Sequence, residues 1–127
     1  MSDSNTNTKV KSKLRDDILS MDDFNSQEVI IPEWKNVRIL VKSLTAEQRY
    51  DLLNKCMNGE QVDGMKLYVY TAIACAYDPD APTERIFSDD NFDALKIKSS
   101  NAIEQIVTVA NELNGIGEQE VKVAEKN

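Results

Sequence analysis

The sequence contains no histidine, two cysteines and four glycines among 127 residues. Histidine is the commonest general base and the commonest transition-metal ligand, so its absence counts against both kinds of site. Cys56 and Cys75 are too far apart for a C-x-x-C motif, and each lies in an apolar helical pattern, where cysteine acts as a small hydrophobic residue. A glycine-rich phosphate loop and a nucleophile elbow are also missing. We therefore expect a protein that is not an enzyme and uses no cofactor.

Long apolar runs and an excess of positive charge are missing as well. No segment approaches the roughly 20 apolar residues that span a bilayer, and the polar start MSDSNTNTKVKSK is unlike a secretion signal. The formal net charge is −7, whereas binding to nucleic acid depends largely on lysine and arginine. We therefore expect a cytoplasmic protein that has neither a membrane nor nucleic acid as its partner.

One acidic cluster could suggest a cation site, because hard cations prefer oxygen ligands. Its pattern differs from an EF-hand loop, since Pro82 occupies the third ligand position and no glycine follows it at the sixth position. We therefore predict no metal site at these carboxylates, which are Asp78, Asp80, Glu84, Asp89 and Asp90.

The N-terminal third of the chain combines a polar segment, a short helix and a hairpin. Residues 1–13 contain too few apolar side chains to order themselves, so we predict a disordered arm followed by one domain over residues 14–127. The segment LRDDILSMDDF shows helical spacing of its apolar residues. β-Branched residues on both sides of Pro32 to Asn36 predict a β-hairpin over about residues 28–43. Trp34, in the turn, either faces a partner or folds back over the hairpin.

Two helices are predicted in the middle of the chain. Thr45 and Gln48 form a capping box for a helix that ends at Asn58-Gly59. The apolar side chains that this helix is expected to turn inward are Tyr50, Leu53 and Met57. The next segment, MKLYVYTAIACAY, is apolar on nearly every side. It is either the central core helix or a partly exposed binding face, which would present Leu67, Tyr68, Tyr70 and Ile73.

The C-terminal third is predicted to be helical after a break. The prolines of DPDAPTER end the preceding helix, and Ser88 caps a short helix through Phe92 and Leu95.

The next helix has an apolar arc with Ile106 and Leu113 near its middle and Val107 and Val109 at its margins. It ends at Asn114-Gly115. The last segment, EQEVKVAEKN, has charges ordered as in a helix, with Val121 and Ala124 as possible anchors. The predicted fold is thus α+β, a mainly helical single domain with an N-terminal hairpin followed by four to five helices.

Several sequence blocks resemble one known family. DDIL followed by DDF, then EVIIPEW and VRILVKSLTAEQR, and later IFSDDNFDALKIKSS, LNGIGEQEV and the terminal EKN are similar to blocks of phage tail assembly chaperones. The blocks occur in the same order and cover roughly residues 16–127. The loop NGEQVDG and the segment DPDAPTER depart from the family pattern.

The resemblance implies an assembly factor in the host cytoplasm that binds the tape measure protein and helps the tail tube protein polymerise. Such a factor is absent from the mature virion. Many copies could cover the apolar stripes of one long client, which favours self-association or repeated binding. The apolar residues that could contact this client are Trp34, Leu67, Tyr68, Tyr70, Ile73, Val107 and Val109.

Two other classes of protein share this small acidic profile. A virion structural component, such as a minor tail or head-tail connector protein, would remain in the particle. An acidic host interaction module, such as an antitoxin-like or regulatory protein, is the third hypothesis.

Overall fold

The computed structural model describes residues 12–116. The predicted polar arm therefore lies outside the described residues except for residues 12 and 13, which belong to a helix, α1, over residues 12–19. The segment EQEVKVAEKN also lies outside them. The helical spacing of Leu14 and Ile18 is confirmed, but these side chains are 63% and 52% exposed, so the described residues leave the apolar side of α1 uncovered.

The predicted hairpin is confirmed. Strand β1 (Ser26–Ile31) pairs antiparallel with β2 (Val37–Lys42), with Ile31 opposite Val37. A short 3-10 helix (Pro32–Trp34) and the left-handed residues Lys35 and Asn36 make the connection. Pro32 lies just beyond β1, where its missing N–H costs the ladder nothing.

The sheet is larger than the sequence predicts. Strands β5 (Ala76–Asp78) and β6 (Ala81–Arg85) form a second hairpin and extend the sheet in the order β1-β2-β5-β6. Most of DPDAPTER is therefore strand rather than a loop between helices. The pairing of Val41 with Ala76 attaches this hairpin to β2, a contact between residues distant in sequence. Pro82 lies on β6 at the sheet edge, the position that proline tolerates.

Four α-helices follow the first hairpin, within the range predicted. Up to residue 116, where the described part of the chain ends, these four are α2 (Ala46–Lys55), α3 (Gly64–Cys75), α4 (Phe92–Leu95) and α5 (Ser100–Leu113). The capping box of α2 is confirmed, because Thr45 Oγ1 accepts from the Gln48 N–H at 3.0 Å and Gln48 Oε1 accepts from the Thr45 N–H at 2.9 Å. Asp63 caps α3 by accepting from the Lys66 N–H at 3.0 Å.

The end and the orientation of α2 differ from the prediction. The helix ends at Lys55, because Met57–Asn58 (β3) and Gln61–Val62 (β4) form a small hairpin whose turn uses Gly59 at φ +70. The buried side chains in this region are Leu52 and Cys56. Tyr50, Leu53 and Met57, which were expected inside, are 67%, 45% and 37% exposed. The apolar series exists, but it faces solvent.

The core lies between the sheet and the two longest helices. α5 contacts α3, β1 and β2 and buries Ala102, Ile103, Ile106, Val107 and Ala110. α3 buries its second half, including Ala72, Ile73 and Cys75. The interpretation of α3 as a core helix is therefore confirmed for this half. Its first half lies beside α2 and borders the site described next.

Candidate functional site

An apolar groove of about 570 Å³ lies between α2, the first turns of α3 and the end of α5. Leu44, which precedes α2, also borders it. Each helix contributes apolar side chains, and the last described residue of the chain contributes one more. The side chains that matter most for its chemistry are Leu52, Leu53, Met65, Leu67, Val107 and Ile116.

Helix capping determines which residues reach the rim of the groove. Thr45 starts α2 so that Leu52 is buried while Leu53, one position later, is 45% exposed. Asp63 starts α3 so that Met65 lies in the first turn and is 54% exposed. Leu53 and Met65 therefore offer apolar surface to a partner, while the buried Leu52 belongs to the inner part of the groove.

Asn114 forms the end wall of the groove by joining α5 to the start of α2. Its Oδ1 accepts from the Leu44 N–H at 2.7 Å, and its Nδ2 donates to the Ala110 carbonyl at 2.8 Å. The Asn114 carbonyl accepts from Arg49 Nη2 at 3.2 Å. The bonds from the Leu44 N–H and from Arg49 join the end of α5 to the start of α2, and the first gives the partly buried Leu44 N–H an acceptor.

Tyr68 closes the side of the groove between α3 and α5. Its hydroxyl lies 3.1 Å from the Ser100 carbonyl and 2.7 Å from Glu104 Oε2. The ring borders the groove, while the hydroxyl is held by α5. This is the amphipathic use of tyrosine, with an apolar ring and an anchored polar end.

The two cysteines are confirmed as core residues. Both are free and fully buried. Burial raises the pKa of Cys75 to about 12, although the hydrogen bond from Asn114 opposes the shift. Burial also raises the pKa of Cys56 to about 11, opposed by the nearby Lys55. Both thiols therefore stay protonated near neutral pH and present no thiolate nucleophile.

The groove can bind apolar surface, and the described residues offer no metal chemistry beside it. Among residues 12–116, no three His, Cys, Asp or Glu side chains are grouped closely enough to hold a metal ion. In the same range, no helix has the length and apolar character needed to cross a membrane. Arg49 is the positively charged residue that borders the groove.

Three of the predicted client-binding residues meet in the groove. Leu67 and Tyr68 line it from α3, and Val107 lines it from α5. Val107 is 6% exposed, so it forms part of the floor and not the margin that its helical position suggested.

The other predicted residues lie elsewhere. Ile73 is fully buried, which corrects the expectation that it could face a client. Its side chain lies in the second half of α3 and packs with the other core residues. Val109 packs partly buried against the core. Trp34 contacts Phe87 edge to face, with ring centroids 6.3 Å apart, so it folds back onto the domain.

Tyr70 belongs to a second, polar depression of about 310 Å³ on another side of α2. Its ring stacks on Phe92, with centroids 4.6 Å apart, and Lys55 Nζ lies 5.0 Å from the ring centroid. Lys55 also pairs with Asp89. The aromatic face of Tyr70 is thus occupied by its own chain.

Leu44, Leu53, Met65 and Ile116 line the groove, although the sequence pattern did not predict them as binding residues. Leu53 was recognised as apolar but assigned to the core. Leu52 and Cys56 are the side chains buried in this region, and Leu53, one position after Leu52, is left partly exposed. Ile116 follows Gly115, whose left-handed conformation at φ +73 redirects the chain after α5. Its role depends on contacts between elements that are distant in sequence.

No family model and no curated protein matches the chain. The structure of the bacteriophage HK97 tail assembly chaperone matches with a TM-score of 0.46 and 17% sequence identity, covering 67% of this chain and 84% of that chain.

Proposed function

We propose that this protein is a phage tail assembly chaperone that binds the tape measure protein in the host cytoplasm and promotes polymerisation of the tail tube protein. The observation that supports this function best is the groove of about 570 Å³ whose rim leaves Leu53 and Met65 partly exposed. The order of the sequence blocks supports the same function.

The groove suits a helical client. A tape measure protein is a long helical polypeptide whose apolar stripes lack cover until the tube surrounds them. An amphipathic helix binds a groove through apolar side chains spaced one turn apart. The groove volume lies within the range of about 300–1,000 Å³ that ligand sites commonly have.

Each single contact is expected to be weak. Full burial of one leucine or methionine side chain stabilises a complex by about 1.5–3 kcal/mol, and the ordering of both partners offsets part of that gain. Many copies along one client raise the total affinity through effective concentration. The net charge of −7 keeps such a complex soluble by mutual repulsion.

Co-expression with the tape measure protein tests this function. We expect the client to remain in the soluble fraction with the wild-type chaperone and to precipitate without it. The double variant Leu53→Asp/Met65→Asp should lose this effect, because it introduces two charges at the apolar rim. Ile97→Asp is the matched control, since Ile97 is 80% exposed and is not among the residues that line the groove.

Two outcomes would contradict the proposal. If the groove variant solubilises the client as well as wild type does, the client binds another surface. If mass spectrometry detects the protein as a stoichiometric component of purified virions, the alternative of a minor tail or connector protein is correct.

A further inference from the structure

Helix α1 and the turn after it carry an apolar face that the described part of the chain leaves uncovered. Leu14, Ile18 and Met21 follow one another at intervals of four and three residues, which places them on one side of a helix. Met21 lies in the turn, where its N–H donates to the Ile18 carbonyl at 3.1 Å. All three side chains, which form the α1 face, are more than half exposed. Because helices in proteins are stabilised mainly by the packing of an apolar face, α1 should gain stability when a partner covers it.

The groove between α2, α3 and α5 offers a matching surface. An amphipathic helix binds an apolar groove through side chains at positions such as i, i+4 and i+7, which is the spacing within the α1 face. The groove rim presents Leu53 and Met65, which are partly exposed. Every described residue that lines the groove belongs to the chain from Leu44 onward, so α1 does not occupy it. The α1 face and the groove are therefore open at the same time in one chain.

Charge at the margins complements this apolar contact. Asp17 is turned about 60° from Leu14 around the helix axis, which places it at one margin of the α1 face. Arg49 lies at the groove rim, and the ion pairs found within residues 12–116 include neither Asp17 nor Arg49. Arg49 Nη2 donates to the Asn114 carbonyl at 3.2 Å. A guanidinium has five N–H donors, so Arg49 can also bind a carboxylate.

We propose that the α1 face of one copy of this protein docks in the groove of a second copy, with Asp17 of the first beside Arg49 of the second. The two surfaces differ, so the contact is heterologous and joins copies into a ring, an open chain or a reciprocal dimer. The groove holds one helix at a time, and a client helix therefore competes with α1. This competition rests on the proposed function, because the client must use the same groove.

Mass measurements on the full chain test the contact without any client. In sedimentation equilibrium, the average mass of wild type should rise above that of the monomer as the concentration is raised to about 1 mM, since so small a contact is expected to be weak. Leu14→Asp/Ile18→Asp and Leu53→Asp/Met65→Asp should each remain monomeric. An equimolar mixture of these two variants should form a one-to-one dimer and nothing larger, because one α1 face and one groove remain intact.

Two exposed positions outside the contact provide matched controls. Leu19 lies on the other side of α1, and Ile97 is not among the residues that line the groove, so Leu19→Asp and Ile97→Asp should associate as wild type does. A wild type that is monomeric at every concentration would overturn the proposal, whether α1 stays free or turns into its own groove. Association that survives the groove variant, or a mixture that forms no dimer, would overturn it as well.

A charge exchange tests the orientation of the docked helix. Asp17→Arg alone and Arg49→Asp alone should each weaken association about fivefold, whereas the two changes combined in one chain should restore it. Both residues are exposed, so these changes leave the core intact. Failure of the combination to restore association would overturn the pairing of Asp17 with Arg49.

A competition experiment separates this contact from the proposed function. A helical fragment of the tape measure protein should dissociate the copies and bind each of them one to one. Bound fragment on copies that remain associated through α1 would overturn the competition. Association of copies without any binding of the fragment would reject the proposed function and retain the α1 contact. Binding of the fragment by a protein that is monomeric without it would do the reverse.

Discussion

Helices α2 and α5 both carry an apolar series, but they use it differently. α5 buries Ile103 and Ile106 between the sheet and α3, whereas α2 buries Leu52 and leaves Tyr50 and Leu53 exposed. The difference comes from their neighbours. α5 contacts α3, β1 and β2, whereas α2 packs mainly on α3. An amphipathic pattern shows that a helix has an apolar side, and the surrounding elements decide whether that side becomes core or surface.

The same contrast occurs within α3. Its second half is enclosed and contains Ile73 and Cys75, both fully buried. Its first half carries Met65 at 54% exposure beside α2. The groove therefore lies where two incompletely covered helices meet, next to a well-packed core. The following predictions test this contrast in terms of the free energy of unfolding.

The largest effect is expected in the covered helix. Ile106→Ala should lower the free energy of unfolding by about 2–5 kcal/mol, because it removes a fully buried side chain and leaves a cavity. Denaturant titration measures the change. Ile97→Ala, at a site that is 80% exposed, should change stability by less than about 0.5 kcal/mol. Equal values for the two variants would contradict the burial of α5.

A smaller effect is expected at the end wall of the groove. Asn114→Ala should cost about 1–3 kcal/mol, because the partly buried Leu44 N–H loses its acceptor. Chemical denaturation should show this loss, and hydrogen exchange should accelerate at Leu44. Glu112→Ala, an exposed change in the same turn, is the control. A neutral Asn114→Ala would show that Asn114 does not join the two helices.

The cap of α2 should matter less. Thr45→Ala should cost about 1 kcal/mol, because it removes the acceptor for the Gln48 N–H. Thr45→Ser keeps the hydroxyl and should recover most of the stability in thermal unfolding. If serine and alanine are equally destabilising, the methyl group of Thr45 and not its hydroxyl holds this helix start.

The smallest effect on stability is expected on the uncovered side of α2. Leu53→Asp should change the free energy of unfolding by less than about 1 kcal/mol, because Leu53 is 45% exposed. Circular dichroism during denaturant titration measures this value, with Ile97→Asp as the matched control. A loss above about 2 kcal/mol would place Leu53 in the core and remove the contrast between α2 and α5.

Elements with strong local signals were predicted well. The hairpin around Pro32, the capping box at Thr45 and the long final helix each depend on residues close together in the sequence. Strands β5 and β6 were missed, because β5 has only three residues and joins the sheet through long-range pairing with β2, such as Val41 with Ala76, while β6 pairs with β5. The candidate site was predicted in part: Leu67 and Tyr68 were named, whereas Leu53 and Met65 were not.

The sequence by itself determined where the helices and the first hairpin begin, since caps, turns and apolar spacing act over a few residues. It also determined the acidic charge and the absence of histidine. The tertiary structure decided which apolar side chains are covered, because burial depends on elements that are distant in the chain. Leu52 and Leu53 are neighbours in sequence, and the packing of α2 against α3 buries Leu52 while it leaves Leu53 partly exposed at the groove rim.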